Sequence, residues 1–165
     1  MTHEGMGRLA EAGTVATAVA CGLAGGVFFA FSSFVMPSLR RLPDAQGIVA
    51  MQEINRQAVT PVFMTALFGA AGLCVAVGGW ALRNRGLPAA PWVLAGAATY
   101  LVGAIGVTAA RNVPLNDALA ALDPAGAGAA GEWHGYVRDW VRWNHLRAAA
   151  GAGSAALMAI GLRAG

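Results

Sequence analysis

The sequence contains no lysine. All 11 of its basic residues are arginine, which beside so much alanine and glycine reads as GC-rich coding rather than as a functional signal. Charge of either sign is scarce, at 12% of residues, where soluble domains carry roughly 25%. With 57% hydrophobic residues, a soluble fold of this size would lack the charge needed to cover its surface. The net charge of +3 comes from scattered arginines. No basic run is present, so a nucleic-acid-binding arm is excluded. Cysteine is limited to Cys21 and Cys74, each in the middle of an apolar stretch, with no CxxC and no neighbouring histidine. Both are expected to be small core residues rather than a disulfide or metal ligands. HExxH, the P-loop and a GxGxxG followed by an acidic residue are absent. No carboxylate lies inside an apolar stretch, which argues against proton-coupled transport and against a carboxylate-bridged metal centre.

What the sequence has is long apolar runs. Residues 12–39, 57–82, 86–110 and 148–162 carry no charge. A helix needs about 20 mainly apolar residues to cross a hydrocarbon layer of about 30 Å, and the first three runs suffice. The fourth covers only about 22 Å at about 1.5 Å per residue. To cross, its helix must draw residues 143–147 to the membrane boundary. The preceding segment is helix-compatible: between Glu132 and Arg147 there is no proline, and Gly135 is the only glycine. Trp133, Tyr136, Trp140 and Trp143 form an aromatic stripe at helical spacing, and Asp139 can pair with Arg142 three residues on. One long helix over about 131–162 is predicted. The first run is too long for the 7–15 residue core of a signal peptide and reads as a retained helix.

The predicted fold is therefore all-α: a single integral membrane domain over residues 1–165, built as a four-transmembrane-helix bundle. Its spans are placed at about 13–36, 57–82, 88–110 and 143–162. The fourth helix extends out of the membrane, and a short amphipathic helix near 44–56 lies between spans 1 and 2, begun by Pro43 and Asp44. The connection starting at Pro37, the tight turn at 83–88 and a flexible Gly/Ala tract at 125–131 complete the chain. A multi-pass protein of a bacterial cytoplasmic membrane is expected. With four spans, the 37–56 and 111–131 connections share a side. That side carries Arg40, Arg41, Arg56, Arg111, Arg138, Arg142 and Arg147, against Arg8, Arg83, Arg85 and Arg163 on the other. Taken literally, the positive-inside rule puts the first side in the cytoplasm. Several of those arginines are also candidates for function, so orientation stays open. Glycines within the spans, including the Gly22/Gly26 GxxxG pair, suit close packing inside the bundle more than dimerisation.

Polar groups at membrane depth are costly and are functional candidates by default. Three clusters fall on one side. The first is Arg111, Asn112 and Asn116, where Pro114 should end or break the helix; its plain reading is a helix C-terminus with Asn as a cap. The second is Trp143, Asn144, His145 and Arg147, in which Asn144 and Arg147 share a face with Trp140. His145 suits proton abstraction or metal ligation, while the plain reading is an interfacial aromatic and arginine belt. The third is Asn55, Arg56 and Gln57, with Gln52 and Glu53 one turn earlier, most simply a solvated face. Ser32 and Ser33 are expected to bond back to backbone carbonyls. His3, near the N-terminus, and His134 are too dispersed from His145 to suggest a metal site.

Taken together, Phe28-Phe29-Ala30-Phe31-Ser32-Ser33-Phe34-Val35-Met36-Pro37, Ile54-Asn55-Arg56, Asn112-Val113-Pro114-Leu115-Asn116 and Trp143-Asn144-His145-Leu146-Arg147 resemble the anthrone oxygenase-like family of small four-helix membrane proteins. The resemblance covers roughly residues 13–162. It implies an oxygenase acting on a lipophilic aromatic substrate, since fungal members oxidise anthrones to anthraquinones. Carried over by position, it marks Asn55, Asn112, Asn116, Trp143, Asn144, His145 and Arg147. In the reading this suggests, His145 removes a proton, Asn112, Asn116 and Asn144 bind the developing oxyanion, and Arg147 or Arg111 stabilises its charge. Asn55, Arg111, Trp140 and Trp143 are the candidate substrate contacts. No cofactor is expected, participation of a metal is left open, and the partners are a lipophilic small molecule and membrane lipids. The rival expectation is a non-catalytic bundle that binds a lipid or a protein, with the same residues as a structural polar plug.

Overall fold

A computed structural model describes residues 7–165; His3 lies outside them. The described residues form five helices and no strand: α1 Arg8–Leu39, α2 Asp44–Ala58, α3 Pro61–Arg83, α4 Ala90–Ala120 and α5 Ala129–Ala164. By length and composition α1, α3 and α4 can each cross a membrane. No more than a third of the apolar window in any of them is buried within the protein. The outward faces, with residues such as Leu23, Phe29, Phe68, Val75 and Val102, therefore need apolar surroundings. The same measure does not single out α5, whose apolar run shares one helix with Arg138, Arg142, Arg147 and Arg163. Yet α5 is the packing centre, lying most extensively along α1 and then along α4.

Small residues bring these helices together. A Cβ on Gly151 would sit 2.6 Å from the Gly25 Cα, so α1 and α5 cross backbone to backbone. Gly103 makes room for the Ala150 methyl, and Gly96 for the end of the Met158 side chain and the Ser154 carbonyl. The expected Gly22/Gly26 pair is not the crossing point: Gly26 faces open space, and Gly25 makes the contact.

Two prolines shape the helices in a way the sequence reading did not anticipate. Pro37 and Pro114 were expected to end or break their segments, but α1 runs on to Leu39 and α4 to Ala120. A helical proline lacks an N–H and crowds the carbonyl four residues back. Here the turn before each proline widens into a π turn, over Phe31–Val35 and Thr108–Asn112. The amide just before each proline closes it, Met36 to the Phe31 carbonyl and Val113 to the Thr108 carbonyl. A further π turn, Leu101–Gly106, precedes the one in α4.

The remaining connections follow the expected plan with shifted ends. α2 begins at Asp44 after Pro43, and residues 84–89 make the tight turn. The Gly/Ala tract is only partly a connection, because Ala129, Ala130 and Gly131 already belong to α5. Asp139 pairs with Arg138 at 2.9 Å rather than with Arg142.

The core has two apolar parts. One lies among α1, α3, α4 and α5, around Phe28, Leu67, Cys74, Tyr100 and Met158. The other lies where α2 is wedged among the ends of α1 and α4 and the first half of α5, around Met36, Ile48, Met51, Leu119, Trp133 and Trp140. Trp133 lies against the Gly47 backbone, where a Cβ would come within 2.9 Å of its ring. Cys21 and Cys74 are free and buried, with their sulfurs 3.5 Å apart.

Candidate functional site

Between the two apolar parts lies a polar layer, built from the residues that follow from the two proline-linked π turns and from the middle of α5. Asn144 is fully buried. Its amide nitrogen donates to the Phe28 carbonyl at 2.6 Å and to the Ser32 hydroxyl oxygen at 2.7 Å. Its carbonyl oxygen accepts from Arg147 at 2.6 Å. Arg147 is only 6% exposed. It donates also to the Thr108 hydroxyl at 3.2 Å, and its guanidinium lies 4.3 Å over the Phe28 ring and 5.2 Å over that of Trp140. No carboxylate pairs with it among the described residues. Hydroxyl, carboxamide and aromatic faces thus hold a buried cation that no carboxylate neutralises, an arrangement that carries a desolvation cost.

The second half of the layer is centred on Asn116. Its carbonyl oxygen accepts from the Trp140 indole at 2.9 Å and from the Tyr136 hydroxyl at 3.0 Å. Asn55 reaches the same hydroxyl from α2 at 3.5 Å. Burial pushes the Tyr136 phenol above its ordinary range, opposed by Asn55 and by the Arg147 charge; the hydroxyl is thus held protonated as a donor. Asn112 is buried and donates to the Trp140 carbonyl at 3.3 Å, while its own carbonyl oxygen has no partner.

Six of the nine residues singled out in the sequence therefore meet: Asn55, Asn112, Asn116, Trp140, Asn144 and Arg147. Three do not join them. His145 is exposed, about 100° round the helix from Asn144, and no hydrogen bond or ion pair joins it to the layer. His145 therefore lies apart from the buried asparagines. Arg111 is exposed and lies 4.8 Å over Trp143, whose other neighbour is Arg142 at 5.6 Å. This pair forms a separate patch.

Several members of the layer escaped the sequence reading. Ser33 bonds back to its own helix as expected, but Ser32 is taken by Asn144. Thr108 is a lone hydroxyl in an apolar run, and Phe28 enters through its backbone carbonyl and ring face, which no side-chain polarity marks. Within α2, Glu53, Arg56 and Gln57 form the expected exposed set. Gln52 instead donates to the Leu119 and Leu122 carbonyls and so closes the end of α4.

A cavity of about 690 Å³ opens between α1 and α5. Ser32, Met36, Pro37, Arg40, Arg41, His134, Val137, Arg138 and Val141 line it. Ser32 thus belongs to both features: it accepts from Asn144, and its own proton has no acceptor among the described residues. A chain of polarisation runs from the Arg147 charge through the Asn144 carboxamide to the Ser32 hydroxyl, which is free to donate into the cavity. No group of three or more His, Cys, Asp or Glu side chains among the described residues forms a metal-ligand set.

The family model for anthrone oxygenase matches residues 57–157, more than half of the chain. The chain belongs to the anthrone oxygenase family. No curated protein and no solved structure matches it. The matched stretch contains Asn112, Asn116, Trp140, Asn144 and Arg147, whereas Ser32, Arg40 and Arg41 precede it.

Proposed function

We propose that this protein is a membrane oxygenase for a lipophilic, anthrone-like aromatic ketone, which binds in the cavity with its oxygen at Ser32. The supporting observation is the Arg147–Asn144–Ser32 chain, a buried cation without a counter-charge linked by two short hydrogen bonds to an unspent hydroxyl at the cavity floor. Loss of a C–H proton from the ketone, to water at the cavity mouth, moves negative charge onto the ketone oxygen. Ser32 donates to that oxygen, and the charge behind it is stabilised by Arg147 through Asn144. Dioxygen then reacts at the electron-rich carbon. The CH2 of an anthrone becomes the second C=O of an anthraquinone, one oxygen atom being retained and the other leaving as water. Four spans complete this reading, with the second half of α5 crossing beside α1 and α4 and the polar layer at the membrane boundary.

One observation favours the rival: Asn144 has its amide and carbonyl groups occupied by internal partners, as in a structural plug. Oxygen uptake with an anthrone by purified protein in detergent separates the readings. Ser32→Ala should keep its folded yield and lose turnover on the order of 100-fold, the effect of removing one oxyanion donor. His145→Gln should retain turnover. If the wild type takes up no oxygen, and Ser32→Ala and Arg147→Gln change only folded yield, the layer is a plug.

A further inference from the structure

The rim of the cavity differs chemically from its floor. Arg40 and Arg41, at the end of α1, line it together with His134 and Arg138 from α5. Two of these four are already matched: His134 faces Asp44 at 3.0 Å and Arg138 faces Asp139 at 2.9 Å. Arg40 and Arg41 are exposed, and no carboxylate pairs with either among the described residues. A cation near the last turn of α1 complements the helix dipole. That does not account for two unpaired guanidinium groups on a cavity whose walls are Met36, Val137 and Val141 and whose floor is a donor hydroxyl.

We propose that Arg40 and Arg41 bind the anionic group, a carboxylate or a phosphate, of an amphiphilic ligand whose apolar body lies along Met36, Val137 and Val141. Guanidinium groups suit both anions because their N–H donors match the paired oxygens. Resting on the oxygenase reading, this makes the preferred substrate an aromatic ketone bearing an acidic substituent at the end remote from the ketone oxygen. The same chemistry also describes an anionic lipid headgroup with its chains in the cavity.

The test compares binding of anthraquinone-2-carboxylate and of anthraquinone to the full chain in neutral detergent, followed by absorbance. Wild type should bind the acid about ten-fold more tightly, in line with a hydrogen bond to a charged group. The preference should shrink as salt is raised. The double variant Arg40→Gln/Arg41→Gln should lose the preference while binding the neutral quinone unchanged, and Arg40→Lys/Arg41→Lys should restore part of it. A second arm adds phosphatidylglycerol or phosphatidylcholine. Displacement of the acid by phosphatidylglycerol alone identifies a headgroup as an occupant of the same pair, whereas indifference to both lipids identifies the acidic aromatic as the ligand. Equal affinity of wild type for acid and neutral quinone, no binding of either, or a preference that survives in the double glutamine variant overturns the proposal. Preferential binding without oxygen uptake overturns only the oxygenase reading, and turnover of a neutral anthrone without any acid preference overturns only the anion site.

Discussion

Asn112 and Asn144 are both buried asparagines, yet their hydrogen bonding separates them. Asn144 ties α5 to the Phe28 carbonyl and Ser32 and also holds Arg147, while Asn112 makes a single long bond and leaves its carbonyl oxygen unpaired. Leaving a buried polar group without its partner costs about 1–3 kcal/mol. Asn144→Ala leaves the buried Arg147 with the Thr108 hydroxyl as its one hydrogen-bond partner, removes the tie to α1, and should lose about 3 kcal/mol of stability. Asn112→Ala removes an acceptor that was already unpaired and should lose about 1 kcal/mol or less. Unfolding of the two variants in detergent tests this order; equal losses would mean that the network around Asn144 contributes nothing beyond its packing.

At the scale of the helix, two devices set the geometry of the site. The first is the contact of Gly25 with Gly151, which brings α1 close enough for Asn144 to reach the Phe28 carbonyl. A methyl at Gly151 meets backbone that cannot turn aside, so Gly151→Ala should destabilise by about 1–3 kcal/mol. Gly26→Ala, with open space around its Cβ, should be neutral or slightly stabilising through helix propensity. Parallel unfolding curves of the two variants check the contrast. The second device is the proline-linked π turn. Replacing Pro37 by Ala returns the missing N–H and removes the crowding, so the Phe31–Val35 turn can relax to a regular helix and rotate Ser32 away from Asn144. Pro37→Ala should fold at least as well as wild type and lose oxygen uptake with an anthrone. Full activity in that variant would show that the wide turn is not needed.

Over the whole molecule, the polar layer divides an apolar body from an outer cap formed by α2 and the start of α5. If α5 crosses the membrane with α1, α3 and α4, the start of α1, the end of α5 and the 84–89 turn lie on one side and the 121–128 connection on the other. Single cysteines placed at Gly86, Gly126 and Gly165 in a Cys21→Ala/Cys74→Ala background, labelled with a membrane-impermeant maleimide on intact cells, check this. Gly86 and Gly165 should label alike and opposite to Gly126. Labelling of Gly126 and Gly165 from the same side would reduce the spans to three.

The sequence by itself determined the helices and most of the polar residues of the candidate site, because both depend on local quantities. The uncharged runs set the number and approximate position of α1, α3 and α4, the proline-free aromatic segment fixed α5 as one helix, and the Asn and Arg residues stood out against an apolar background. What faces what was decided only by the tertiary structure. Asn144 and His145 are neighbours in sequence with equal claims to chemistry, but one helical step of about 100° sends the first into the core and the second outward. Which of the two is buried depends on where α1 packs, and that is set by a close contact between Gly25 and Gly151, 126 residues apart. Ser32 and Thr108 likewise became site residues through turns widened by prolines and through a partner helix distant in the chain, relations that no local pattern carries.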